Sequence, residues 1–204
     1  MSRILVLCEG KTEELALRYF IVKQWQSDGL GSVGLGAVNL RGKSPNSGRF
    51  ATRYLDDREV LAVFTLVDLQ GLTQVVHQPQ DDLELKVQRV QGWLHAQLNH
   101  PRASDFFPHV CVHQTEAWIL AEGGALATRL NDPGIEPDPD AELKDFQNPP
   151  SERLNKLFLR IKSRRYNKVR DGTPLFSEME FTPVYNSCRY FRGFYDDLTA
   201  VGRR

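Results

Sequence analysis

Three acidic residues stand where apolar runs end. Glu9 follows Ile4-Leu5-Val6-Leu7-Cys8 and precedes Gly10; Asp68 closes Leu61–Val67; Glu116 lies in His113-Gln-Thr-Glu-Ala-Trp118, directly after Phe107–Val112. A carboxylate at the C-terminal tip of a strand, followed by glycine, occupies the edge at which open α/β sheets bind ligands. In a parallel sheet the ends of strands one and three share that edge. Glu9 and Asp68 are therefore expected within reach of one metal ion, and Glu116 is a candidate to complete the cluster. Hard carboxylate oxygens in this arrangement suit Mg²⁺ or Mn²⁺, and a divalent cation there points to phosphate chemistry. His113, three residues before Glu116, shares its face if the segment is helical, as a ligand, a phosphate contact or a proton-transfer group. Simpler roles stay open for each: Asp68 as the turn residue opening Leu69-Gln70-Gly71, Glu116 as a first-turn helix acid, His113 as a hydrogen-bonded rim residue.

The elements that must position these residues are legible as periodicity. Four apolar runs bounded by turn signals read as strands: Ile4–Cys8, Gly34–Leu40, Leu61–Val67 and Phe107–Val112. The third is almost wholly apolar, as a strand buried on both faces should be. Helical patterns alternate with them. Thr12–Gln26 opens on a threonine that can cap it, with Glu13-Glu14 in the first turn to complement the dipole. Asp81–Leu98 places Leu83, Val87, Val90, Leu94 and Leu98 on one face, and Pro101 ends it. Strands alternating with helices imply an α/β fold with a mostly parallel sheet of about four strands flanked by helices.

The chain has 204 residues, enough for one sizeable domain that buries a core without staples. Its 26 basic and 26 acidic residues balance, so no global field announces a nucleic-acid partner. The balance hides a local asymmetry. Asn131–Gln147 carries six acids against Lys144 and three prolines, and reads as an exposed loop. Ser151–Arg170 carries eight bases against Glu152, with Leu154, Leu157, Phe158 and Ile161 at helical spacing. It reads as a basic amphipathic helix, one face packed and the other presented, over which the acidic loop is a candidate cover. The expected division is an α/β core over residues 1–130 and a C-terminal extension over 131–204. Three widely separated cysteines, Cys8, Cys111 and Cys188, with no C-x-x-C pair, fit a reducing compartment. No signal peptide or spanning helix is legible, so a cytoplasmic protein without membrane attachment is expected.

Two motif matches fail on context. Gly29-Leu-Gly-Ser-Val-Gly34 fits G-x-G-x-x-G but precedes a strand instead of following one. Gly36-Ala-Val-Asn-Leu-Arg-Gly-Lys-Ser44 has one residue too many for a phosphate loop, and Pro45 and Gly48 weaken any helix after it. The stretch reads better as a mobile basic loop, with Arg41, Lys43, Arg49 and Arg53 on the same rim as Glu9, able to hold phosphates or simply to be solvated. His77, His95, His100 and His109 lack partners at ligand spacing and read as surface or packing residues; Trp93 and Trp118 read as core. Cys111 and His113 share a strand face, but a cysteine inside a strand is more readily a buried one than a nucleophile.

Strand-Glu-Gly-x-Thr-Glu followed by strand-Asp resembles the Toprim (Rossmann-like) fold of topoisomerases, primases and OLD-type nucleases. Over nearly the whole chain the sequence is similar to the Toprim-like family of formerly unknown function that includes the toxin nuclease of PARIS anti-phage systems. The stretches that carry the likeness are Val6-Leu-Cys-Glu-Gly-Lys-Thr-Glu13, Phe64-Thr-Leu-Val-Asp68, Phe107–Ala117, Pro150–Leu154, Tyr166-Asn-Lys-Val-Arg-Asp-Gly172 and Cys188–Phe191, in that order. The resemblance implies that Glu9 is the Toprim glutamate and Asp68 the first acid of a D-x-D pair. Gln70 stands where the second acid would be, and Gln114 where the family suggests a glutamate. It further implies a Mg²⁺-dependent (or Mn²⁺-dependent) endonuclease in which Glu9, Asp68 and Glu116 hold the metal and Lys168 touches the phosphate or leaving group. Lys11, Arg41, Lys43, His113, Arg164 and Arg165 would contact nucleic acid, RNA (transfer RNA included) before DNA. An ABC-type ATPase partner and a homodimer belong to the same picture. The open alternative is a module whose metal site has degenerated and which binds nucleic acid or the ATPase without cutting.

Overall fold

A computed structural model describes residues 2–76, 81–144 and 146–204; His77 and Asp145 lie outside the described residues. Five strand segments form one parallel sheet: β1 (Arg3–Cys8), β2 (Gly34–Asn39), β3 (Val60–Asp68), β4 (Phe106–Phe107) and β5 (Val110–Cys111), in the order β2-β1-β3-β4 with β5 also on β3. The α/β class with a parallel sheet flanked by helices is thus the one the chain adopts. The expected fourth strand is split. Val63 and Phe64 pair with β4, Val67 and Asp68 with β5. Pro108, which has no N–H for a ladder, sits in the gap. There the Thr65 hydroxyl donates to the His109 carbonyl (2.7 Å) and accepts from the His109 N–H (2.9 Å), bridging the broken edge.

Alternation along the two central strands builds two cores. Ile4, Val6 and Cys8 with Ala62, Phe64 and Leu66 face one side; Leu5 and Leu7 with Val63 and Val67 face the other. The second side is covered by α3 (Ser47–Leu55), α4 (Leu69–Val76) and α5 (Leu83–Ala96), whose Val87, Val90 and Leu94 are the buried residues that the helical spacing picks out. Asp82 caps α5 by accepting the Leu85 N–H at 2.8 Å. The first side takes the helix that runs from α1 (Lys11–Ala16) through a π turn (Leu17–Ile21) into α2 (Val22–Ser27). It also takes α6 (Glu116–Glu122), α7 (Gly124–Leu130), α8 (Pro150–Lys162), α9 (Gly172–Glu178), α10 (Phe181–Ser187) and α11 (Arg189–Gly202). Phe191, Phe194 and Leu198 of α11 share that cluster with β1 and β3, so residues 131–204 contribute to the same core as residues 1–130.

Four expectations about the helices and the acidic stretch are corrected. Gly10, not Thr12, is the N-cap of α1, and Glu13 closes a capping box by accepting the Gly10 N–H at 2.9 Å; Thr12 lies inside the helix. A helix, α3, does follow the basic loop after β2, with Pro45 in the short turn that precedes it, where proline's missing N–H costs nothing. The basic stretch 151–170 is helical only to Lys162; Ser163 ends α8 in the left-handed conformation (φ 53°), and the remainder is a turn. The acidic stretch before α8 is non-helical but not wholly exposed. Asp132 pairs with Arg160 (3.2 Å) and Asp138 with Arg153 and Lys144, so it lies along α8. Its Glu142 is buried and accepts the Tyr190 and Phe191 N–H groups at the start of α11.

Candidate functional site

The C-terminal ends of β1 and β3 are locked in register, Cys8 against Leu66, and the Glu9 N–H continues the ladder to the Leu66 carbonyl at 3.2 Å. This places the Glu9 and Asp68 backbones side by side on one edge. The Glu9 carboxylate accepts the Asp68 N–H at 2.9 Å. Gly71 in the first turn of α4 lets it sit there, because a Cβ at that position would come within 3.3 Å of Glu9 Oε1. Asp68 Oδ1 in turn accepts the Gln70 N–H at 2.9 Å. Gln70 itself is exposed. The loop after β2 is tied to the same edge, the Gly42 N–H donating to the Glu9 carbonyl at 2.9 Å, and it holds exposed Arg41 (φ 51°) and Lys43 on that rim.

Glu116 is the first residue of α6 and is fully buried, 0% exposed. Its Oε1 receives the Lys168 ammonium at 3.4 Å and the Thr12 hydroxyl at 3.5 Å; its Oε2 has no hydrogen-bond partner among the described residues. Glu13, read from the sequence as a first-turn helix acid and as the end of the Glu-Gly-x-Thr-Glu stretch, belongs to the same group. It is buried, and besides the Gly10 N–H it accepts the Thr115 hydroxyl at 3.4 Å. The available signal was its spacing: Glu9 and Glu13 are four apart across a strand–helix junction.

Burial raises the Glu13 carboxyl from 4.5 to about 7, opposed by its backbone hydrogen bonds and reinforced by the charge of Glu116. Burial likewise raises Asp68 from 3.8 to about 6, with Glu9 and Glu116 adding to the shift and the Gln70 N–H and Lys168 opposing it. Among the described residues, four carboxylates thus share an edge with one ammonium group, Lys168, against them. The cluster is short of positive charge, one buried oxygen is unpaired, and every donor is a hard oxygen, which is the character of a Mg²⁺ or Mn²⁺ site. Among the described residues no group of three or more His, Cys, Asp or Glu side chains stands arranged to hold a metal ion. The fit is therefore to a cation held by one or two carboxylates with water and phosphate oxygens completing the shell, as Mg²⁺ accepts.

The remaining expected site residues stand in different surroundings. His113 is buried, 1% exposed, with its ring 4.5 Å from that of Phe146, away from any surface a polymer could reach. Arg164 pairs its guanidinium with Asp171, both contacts at 2.7 Å, and lies over the Phe158 ring at 5.2 Å. Lys11 is exposed and paired with Glu14 at 3.2 Å. Arg165 and Lys168 are exposed on the turn after α8. Cys111 is buried, and burial pushes its thiol well up, against a nucleophilic role. His109 lies between Phe64 and Phe194 and meets Asp197 at 3.0 Å, a packing histidine with a partner.

The fold and this edge define an α/β protein with a parallel sheet and a carboxylate-rich site at its strand ends. The chain belongs to the family described as "Domain of unknown function (DUF4276)", whose model matches residues 8–199. Solved structures similar to it include the C-terminal regions of two OLD proteins. That of Burkholderia pseudomallei is 16% identical with a TM-score of 0.46, covering 96% of this chain and 99% of that one. That of Xanthomonas campestris pv. campestris is 15% identical with a TM-score of 0.42, covering 98% of each. None of the curated proteins matches the chain. Among the described residues no helix is long and apolar enough to cross a membrane.

Proposed function

We propose that the protein is a Toprim-type, metal-dependent endonuclease, acting on RNA before DNA. The observation that carries this reading is the convergence of Glu9, Glu13, Asp68 and Glu116 on one strand edge with Lys168 as their counter-charge. Glu9 and Asp68, with Glu116 beside them, would hold a divalent cation, which when bound would supply charge neutralisation at the scissile phosphoryl group. Glu13, whose carboxyl titrates near neutral pH, takes the proton from the attacking water. Water oxygen bonds to phosphorus, the bond to the leaving ribose oxygen breaks, and that oxygen takes a proton from the Lys168 ammonium. Arg41, Lys43, Lys11 and Arg165 grip the backbone, a sequence-independent and salt-sensitive contribution. The likeness to the PARIS toxin family supports transfer RNA as substrate, an ABC-type ATPase as the partner that holds the nuclease silent, and a role in anti-phage defence. It also fits a protein that works in the cytoplasm and dimerises.

Gln70, at the place of the second D-x-D acid, favours one competing reading, a binding module without catalysis. Labelled total RNA and plasmid DNA incubated with Mg²⁺ or Mn²⁺ separate the two. Discrete products from the wild type should fall by on the order of 10²–10³-fold in Glu9→Gln, Asp68→Asn and Lys168→Ala and vanish with chelator. Salt-sensitive binding without cleavage, unchanged by Glu9→Gln and Asp68→Asn, would establish the binding module instead.

A further inference from the structure

Among the described residues Lys168 is the cation that reaches the carboxylate cluster, yet it stands on an exposed turn outside any helix or strand. Four charged residues, Arg164, Arg165, Lys168 and Arg170, occupy that turn, and mutual repulsion should splay it. The buried carboxylate of Asp171 prevents this. It receives Arg164 through two parallel contacts of 2.7 Å, Arg170 at 3.1 Å, and the Asn167 N–H at 2.9 Å. A forked guanidinium–carboxylate pair fixes direction as well as distance. From the other side, the Asn167 side-chain oxygen accepts the Val169 and Arg170 N–H groups at 3.0 and 2.8 Å, and the Asn167 carbonyl accepts the Asp171 N–H at 2.8 Å. Lys168 is therefore bracketed on both sides by a turn closed on itself and bolted to the end of α8. Its side chain reaches Glu116 at 3.4 Å.

We propose that Asp171 is a positioning residue that locks the Arg164–Asp171 turn in the arrangement that delivers the Lys168 ammonium to the cluster. The catalytic consequence rests on the nuclease reading above; the positional one does not. The lock also explains the use of the four bases: Arg164 and Arg170 hold the turn, while Lys168 and Arg165 stay available to phosphate.

Competitive acetylation of the full-length protein, read lysine by lysine by mass spectrometry, tests the lock without requiring activity. In Asp171→Asn the reactivity of Lys168 should rise roughly three- to tenfold, the range expected when a modest ion pair is lost. Lys144, held by Asp138 away from the turn, should be unchanged. Arg164→Gln opens the turn from its other end and should give the same rise, and it decides the matter if Asp171→Asn fails to fold. Unchanged Lys168 reactivity in the folded variants would overturn the proposal. On RNA, Asp171→Asn should lower kcat with KM little changed, and should cost nothing further in a Lys168→Ala background. Additive losses would mean that Asp171 does not act through Lys168. A wild type that cleaves nothing would sink the nuclease reading while acetylation still decides the lock.

Discussion

The cluster should weaken the fold that carries it, and neutralising Glu13 should make the protein more stable. Folding raises the Glu13 carboxyl from 4.5 to about 7. At about 1.4 kcal/mol for each pH unit, keeping it ionised above neutrality costs up to about 3 kcal/mol. Glutamine at 13 retains the shape; its carbonyl oxygen can accept the Gly10 N–H, more weakly than a carboxylate does, and its amide NH2 can donate to the Thr115 hydroxyl oxygen. A net gain of about 1–2 kcal/mol is therefore expected for Glu13→Gln at pH 8, or about 3–6 °C in Tm for a chain of this size. The sign follows from the raised pKa. The contribution of a protonated Glu13 is fully present below pH 4.5, where folded and unfolded chains both carry the proton, and is lost as pH rises through about 7. The gap between variant and wild type should accordingly be near zero at pH 4.5 and open towards pH 8. Thermal melts by circular dichroism across that range, without divalent metal, measure it. A variant less stable than the wild type at pH 8, or a gap independent of pH, would refute the argument that burial among like charges dominates this site.

The same charge shortage predicts the metal response. Mg²⁺ at about a hundredfold over its Kd should raise the stability of the wild type by about 2.7 kcal/mol; chelator should reverse the Tm gain, and Asp68→Asn should lack it. A structural prediction concerns Gly202, near the end of α11. A Cβ there would lie 2.2 Å from the fully buried Trp25 ring, so Gly202→Ala should lower stability by about 1–3 kcal/mol through overpacking. A urea midpoint equal to that of the wild type would show that the helix end moves aside freely.

Much of the fold was legible along the chain because its signals are local. β1 and β3 are short apolar runs ended by polar residues, and the stripe Val87, Val90, Leu94 has helical spacing; each extends over less than twenty residues. Glu9, Asp68 and Glu116 could be picked out because each directly follows such a run. The sequence also displayed the charge asymmetry between the stretch ending at Gln147 and the one beginning at Ser151. What it could not display are contacts between residues far apart in the chain. Only the fold brings Thr12 and Glu13 against Thr115 and Glu116, more than a hundred positions away, and so turns a helix-dipole acid into a buried member of the carboxylate group with a carboxyl raised to about 7. Only packing decides that His113 is buried under Phe146 while Lys168, on an exposed turn, reaches Glu116. Charge type is written in the sequence. Whether a charge faces solvent, as Arg165 does, or is consumed by a partner, as Arg164 is by Asp171, depends on desolvation and geometry, and those exist only once the chain has folded.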